Sequence, residues 1–76
     1  MINLSQVPLN IPCIIQGVAE ESPGLRLMEM GLIPGTEVVR VLRAPGGDPI
    51  AVLVGNSFIL GLRKDEAELV TVYFNT

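Results

Sequence analysis

The side chains able to do chemistry in this 76-residue sequence are few: no histidine, one cysteine, three methionines, eight carboxylates and five basic residues. Nucleophilic catalysis needs a base beside a serine or cysteine, and zinc hydrolysis draws on imidazole and thiolate ligands. Neither arrangement can be built without histidine and with a single thiol, so no catalytic residue and no protein metal ligand is assigned. Acid pairs do occur, Glu20 with Glu21 and Asp65 or Glu66 with Glu68. Carboxylates in such short runs belong on solvated turns or at the positive end of a helix, which leaves a weak hard-cation site as the alternative. Gly46-Gly47-Asp48 lacks the lysine and hydroxyl residue of a phosphate loop and reads as a turn. Cys13, with no second soft ligand to help it, reads as a small buried hydrophobe. Met28 and Met30 could offer thioethers to soft copper, but their helical spacing from leucines makes them packing residues. Arg26, Arg40, Arg43, Arg63 and Lys64 are scattered and not interleaved with aromatics, so they read as solubilising surface and not as a base-stacking platform.

Five basic against eight acidic residues give a net charge of −3, the wrong sign for a nucleic-acid surface. The longest apolar run, Ile50 to Val54, is far short of the roughly 20 residues of a membrane helix. Asn3, Ser5, Gln6, Pro8, Asn10 and Pro12 break up any apolar core of a secretion signal. A lone cysteine fits a reducing compartment, so the expected location is cytoplasmic, without membrane insertion. With 49% hydrophobic but only 4% aromatic residues, aliphatic side chains must build the core. Such a chain folds, and at this length it makes one domain, 1–76. A domain this small buries only about 60% of its unfolded surface, so the apolar surplus is suited to a partner or to weak self-association.

The elements that must position these residues follow from spacing. Met1 to Val7 is a lead-in with one turn at most before Pro8. Cys13 to Ala19, opened by Pro12, is a first strand. Ser22 and Pro23 signal a helix start, Gly31 ends it, and Leu25, Met28 and Leu32 are its expected buried stripe, with Leu27 and Met30 alongside. Ile33-Pro34-Gly35-Thr36 is a type II turn. Glu37 to Ala44 and Ile50 to Val54 are strands separated by the Pro45-Gly46-Gly47-Asp48-Pro49 loop. Gly55-Asn56 is a two-residue hairpin connection into a strand where Phe58, Leu60 and Leu62 alternate. Lys64 to Glu68 makes one helical turn, and Leu69 to Phe74 is a last strand. Five short strands cannot lie flat without exposing an apolar face and two edges, so a small, partly open, SH3-like or OB-like β-barrel is expected, its end plugged by the one short α-helix between the first and second strands.

Three separated segments resemble the FeoA family, ferrous iron transport protein A. They are Leu27-Met28-Glu29-Met30-Gly31-Leu32-Ile33-Pro34-Gly35-Thr36, then Ala44-Pro45-Gly46-Gly47-Asp48-Pro49, and the tail Gly61-Leu62-Arg63-Lys64-Asp65-Glu66-Ala67-Glu68-Leu69-Val70-Thr71-Val72. The likeness runs from about Leu4 to Val72. It implies an SH3-like barrel in the cytosol, acting beside FeoB, the large membrane transporter that moves Fe(II) and carries a G-protein domain. Gly31, Pro34, Gly35, Leu62 and Arg63 are then structural motif positions. The same domain type closes some metal-dependent repressors, but this chain leaves no room for a winged helix, so DNA binding is not implied.

Two functional readings follow. In the first, the chain is an accessory or regulatory protein of ferrous iron uptake that docks on the cytoplasmic part of the transporter. Its contacts would be Arg26, Met28 and Glu29 on the helix and Pro45, Gly46, Gly47, Asp48 and Pro49 in the loop. No cofactor is required, and Fe(II) enters only through the transport system. The second reading is a stand-alone metal-responsive module that binds a divalent transition metal weakly through carboxylates, a poor ligand set without imidazole.

Overall fold

The computed structural model describes residues 2–74; Met1, Asn75, Thr76 and the side chain of Arg43 lie outside the described residues. Six strands form one antiparallel sheet: β1 (Ile2–Asn3), β2 (Cys13–Val18), β3 (Glu37–Arg43), β4 (Ile50–Val54), β5 (Phe58–Leu62) and β6 (Val70–Phe74). Their order is β1-β6-β2-β3-β4-β5. Alternation decides which face is buried: Cys13 and Ile15, Val38, Ile50, Val52 and Val54, Leu62, and Val70 and Val72 point into one aliphatic core. Leu4, Val7, Leu27, Leu32 and Ala67 fill it from the connecting segments. Register shifts between Ile15 and Gly17 and between Arg40 and Leu42 bend the strands that carry them. The sheet thus curls over the core without closing, leaving β1 and β5 as its edges.

The fold is the small, mainly β, SH3-like architecture expected, with one added strand, and both expected turns form. The lead-in contributes the two-residue strand β1 and a 3₁₀ turn, Leu4–Gln6, and the charged tail forms a one-turn helix, α2 (Lys64–Ala67). The Ile33 to Thr36 turn forms as predicted: Thr36 N–H donates to the Ile33 carbonyl at 3.1 Å, and Gly35 takes φ +92°.

Three local expectations change. The helix α1 is Gly24–Glu29, shorter than Ser22 to Gly31, and Pro23 stands at its cap position with no side-chain cap bond. A backbone turn replaces the expected Ser22 cap, with Gly24 N–H donating to the Glu21 carbonyl at 2.7 Å. The buried face of α1 is Gly24 and Leu27, with Met28 half-buried, while Leu25 is 53% exposed. The residues at i, i+3 and i+4 from Gly24 share a face that Leu25 falls off, and the chain turns at Gly31 to bring Leu32 into the core. The β4–β5 connection is also longer than two residues: Val54 pairs with Phe58, so Gly55, Asn56 and Ser57 form the loop.

Candidate functional site: the face built around α2

α2 joins the two segments marked as partner contacts. Its first N–H groups have no helical acceptor and need outside partners. Arg63, at the cap position, has no side-chain acceptor, so the bonds come from elsewhere: Glu66 Oε1 accepts from Arg63 N–H at 2.9 Å, and Asp48 Oδ1 accepts from Lys64 N–H at 2.9 Å. The other oxygen of Glu66 receives the Arg26 guanidinium, Nη2 to Oε2, at 2.9 Å. Arg26 on α1 and Asp48 in the loop therefore meet on α2, one through an ion pair and one through a helix cap. Arg26 is exposed and Glu66 largely covered, so the pair aligns the two helices more than it stabilises them.

Glu29, Pro45, Gly46, Asp48 and Pro49 are exposed, whereas Met28 and Gly47 are half-buried. The loop makes a one-turn 3₁₀ segment, Pro45–Gly47, closed by Gly47 N–H to the Ala44 carbonyl at 2.9 Å. A cleft of about 630 Å³ lies along it, lined by Arg40, Ala44, Pro45, Gly46 and Gly47. Of the structural motif residues, Leu62 and Arg63 lead into α2, whereas Gly31, Pro34 and Gly35 lie in the connection between α1 and β3. Gly31 has φ +109°, and a Cβ there would stand 3.0 Å from the Phe58 ring. Pro34 and Gly35 form the turn onto β2, where Gly35 N–H donates to the Ile15 carbonyl at 2.8 Å. Leu62 is buried at the end of β5, and Arg63 follows it in the open.

Arg40, expected among the solubilising surface residues, is instead a structural tie. It shares the inward parity of Val38, and its Nη1 donates to the Ser5 and Val7 carbonyls at 3.4 and 3.3 Å. Its Nε is buried without a partner. That parity was the available signal. Glu66 was visible only as one acid in a charged turn, because its partners come from α1 and from the strand end before α2. Cys13 is buried, and its Sγ lies 3.5 Å from the Val38 carbonyl oxygen. Burial, and secondarily the Glu37 carboxylate, push its thiol pKa up, which fits a packing residue and not a nucleophile. Among the described residues no three histidine, cysteine or acidic side chains gather into a metal-ligand group, and no helix is long and apolar enough to cross a membrane.

A curled, open, six-stranded antiparallel sheet with helical turns at its corners defines a small SH3-like domain, a class that presents surfaces and loops. The FeoA domain profile matches residues 2–73, and the chain belongs to the FeoA family. Solved relatives agree in fold along nearly the whole chain. Iron(II) transport protein A from Clostridium thermocellum is 35% identical with a TM-score of 0.87, over 96% of this chain and 45% of that one. FeoA from Chlorobium tepidum is 35% identical with a TM-score of 0.85, over 99% and 71%. The zinc complex of FeoA from Stenotrophomonas maltophilia is 35% identical with a TM-score of 0.84, over 96% and 91%. That protein is described as a unique procaryotic SH3 domain protein and a suggested ferrous iron transport activating factor. The chain thus spans under half the length of the Clostridium thermocellum protein. No curated protein sequence matches it.

Proposed function

We propose that this chain is a non-enzymatic accessory protein of ferrous iron uptake that acts in the cytoplasm by docking on the cytoplasmic portion of a FeoB-type transporter. Family membership supplies the iron-transport context. The observation that carries the docking face is the convergence on α2: Arg26 and Asp48, from segments far apart in sequence, are fixed on one short helix. This leaves Glu29, Pro45 and Pro49 exposed near a shared support, and a preformed surface loses little conformational entropy on binding. Deleting the gene should lower Fe(II) uptake while transporter abundance holds; unchanged uptake overturns the accessory role. Glu29→Lys and Pro45→Glu should each weaken capture by the isolated cytoplasmic portion by at least about tenfold, or 1.4 kcal/mol. Normal capture of both variants would move the contact elsewhere.

A second reading, weak binding of a divalent metal, draws on one observation: a 35%-identical relative was solved in complex with zinc. Titration with Mn(II) under NMR observation tests it, since localised amide broadening at the acidic turns supports a site and uniform spectra remove it.

A further inference from the structure

The outer face of the sheet has no part in the α2 surface. Register sets Val39, Leu53 and Ile59 side by side across β3, β4 and β5, and next to them Leu42, Ala51 and Gly61. None is charged, and Ile59 and Leu42 are 65% and 60% exposed. These rows end at β5, which among the described residues is paired on one side only, with β4. Its other side therefore offers backbone N–H and C=O groups without a ladder partner. Natural edge strands are usually guarded by charge, proline or a bulge. Phe58 to Leu62 contains no charged residue and no proline, and its pairing with β4 is regular.

We propose that β5 is a dimerisation edge that takes β5 of a second copy, antiparallel, about a two-fold axis at Leu60. Only an extended strand can pair the open backbone groups, and three features select a second copy of this chain. The first is register. Pairing centred on Leu60 sets Ile59 of each copy opposite Gly61 of the other, where a Cβ would meet nothing within 4 Å and space is open for the larger side chain. The second is continuity: the row Val39, Leu53, Ile59 runs on into Gly61, Ala51, Leu42 of the other copy, and the two-fold repeats it.

The third is charge. Each copy carries −3, so most faces repel, but the edge and its apolar rows carry no ionised group. An interface this small gives a weak dimer that forms as concentration rises.

Sedimentation equilibrium on the full chain tests this. The apparent mass should climb from 8.1 kDa toward twice that value with concentration. Ile59→Lys and Gly61→Glu should each raise the dissociation constant at least about tenfold, with unchanged circular dichroism because both positions are exposed. Combining Ile59→Lys with Gly61→Glu in one chain should restore dimerisation, because the two introduced charges face each other across the axis only in this register. A chain that stays monomeric up to millimolar concentration overturns the proposal, even if another protein's strand covers β5. So does a dimer indifferent to Ile59→Lys, or one that the double substitution fails to restore.

Discussion

Gly24 occupies a position where no side chain fits. A Cβ on it would stand 1.7 Å from the Ala19 carbonyl oxygen, a backbone atom that cannot swing aside. In an isolated helix, alanine in place of glycine is favourable by about 1 kcal/mol, so here the helical preference and the packing have opposite signs. Packing prevails, because relieving that contact means pulling α1 off the end of β2. Gly24→Ala should lower stability by about 2–3 kcal/mol, read as a drop in urea midpoint. Gly17→Ala, where a Cβ meets nothing within 4 Å, should stay within about 0.5 kcal/mol of the parent. The sequence shows Gly24 only as a weak point in a helix, because propensity weighs a residue against its own element and this clash is with another. Sequence likewise does not show the tie that Arg40 makes, because its acceptors Ser5 and Val7 lie far from it in the chain.

Elements were legible where period and punctuation agreed. Ile50 to Val54, bounded by Pro49 and Gly55, forms over the residues read from the sequence, and the Pro34-Gly35 turn falls in place. Ser22 and Gly31 look like the two caps of a longer α1, whereas the helix that forms is the six residues Gly24–Glu29 that carry Leu27 into the core. For α2 the sequence revealed the turn but not its supports. Asp48, named as a partner contact, is also the acceptor for Lys64 N–H, so Asp48→Ala should cost about 1 kcal/mol of stability, as losing a helix cap does. Asp48→Asn keeps an acceptor and should recover most of that. Arg26→Ala removes an ion pair whose arginine side chain is 67% exposed and should cost no more than about 0.5 kcal/mol. Equilibrium denaturation of the three variants separates a cap from a surface ion pair. Equal losses for Asp48→Ala and Arg26→Ala would show that the cap does not support α2.

For the molecule as a whole, the decisive economy is that the N-terminal segment is core. Leu4 and Val7 are 0% and 1% exposed, β1 extends the sheet beside β6, and the 3₁₀ turn between them touches α2. Asn3 and Gln6 cap that turn on themselves, with Ser5 N–H to Asn3 Oδ1 at 3.0 Å and Asn3 N–H to Gln6 Oε1 at 2.9 Å. Arg40 then holds two of its carbonyls. From sequence the segment is a lead-in with one turn at most; only assembly shows that Leu4 and Val7 close the core of an open sheet. A chain of 76 residues has a total stability of about 4–11 kcal/mol. Leu4→Ala, at about 2–4 kcal/mol, would therefore take a large share of it and lower the melting temperature by about 10–25 °C. Leu25→Ala, an equally large truncation at a residue 53% exposed, should move it by no more than about 3 °C. Calorimetry on both variants makes the comparison. If Leu4→Ala melted with the parent, the segment would be an attachment to a complete core, and the opening beside β1 would be covered by something other than the chain's own first turn.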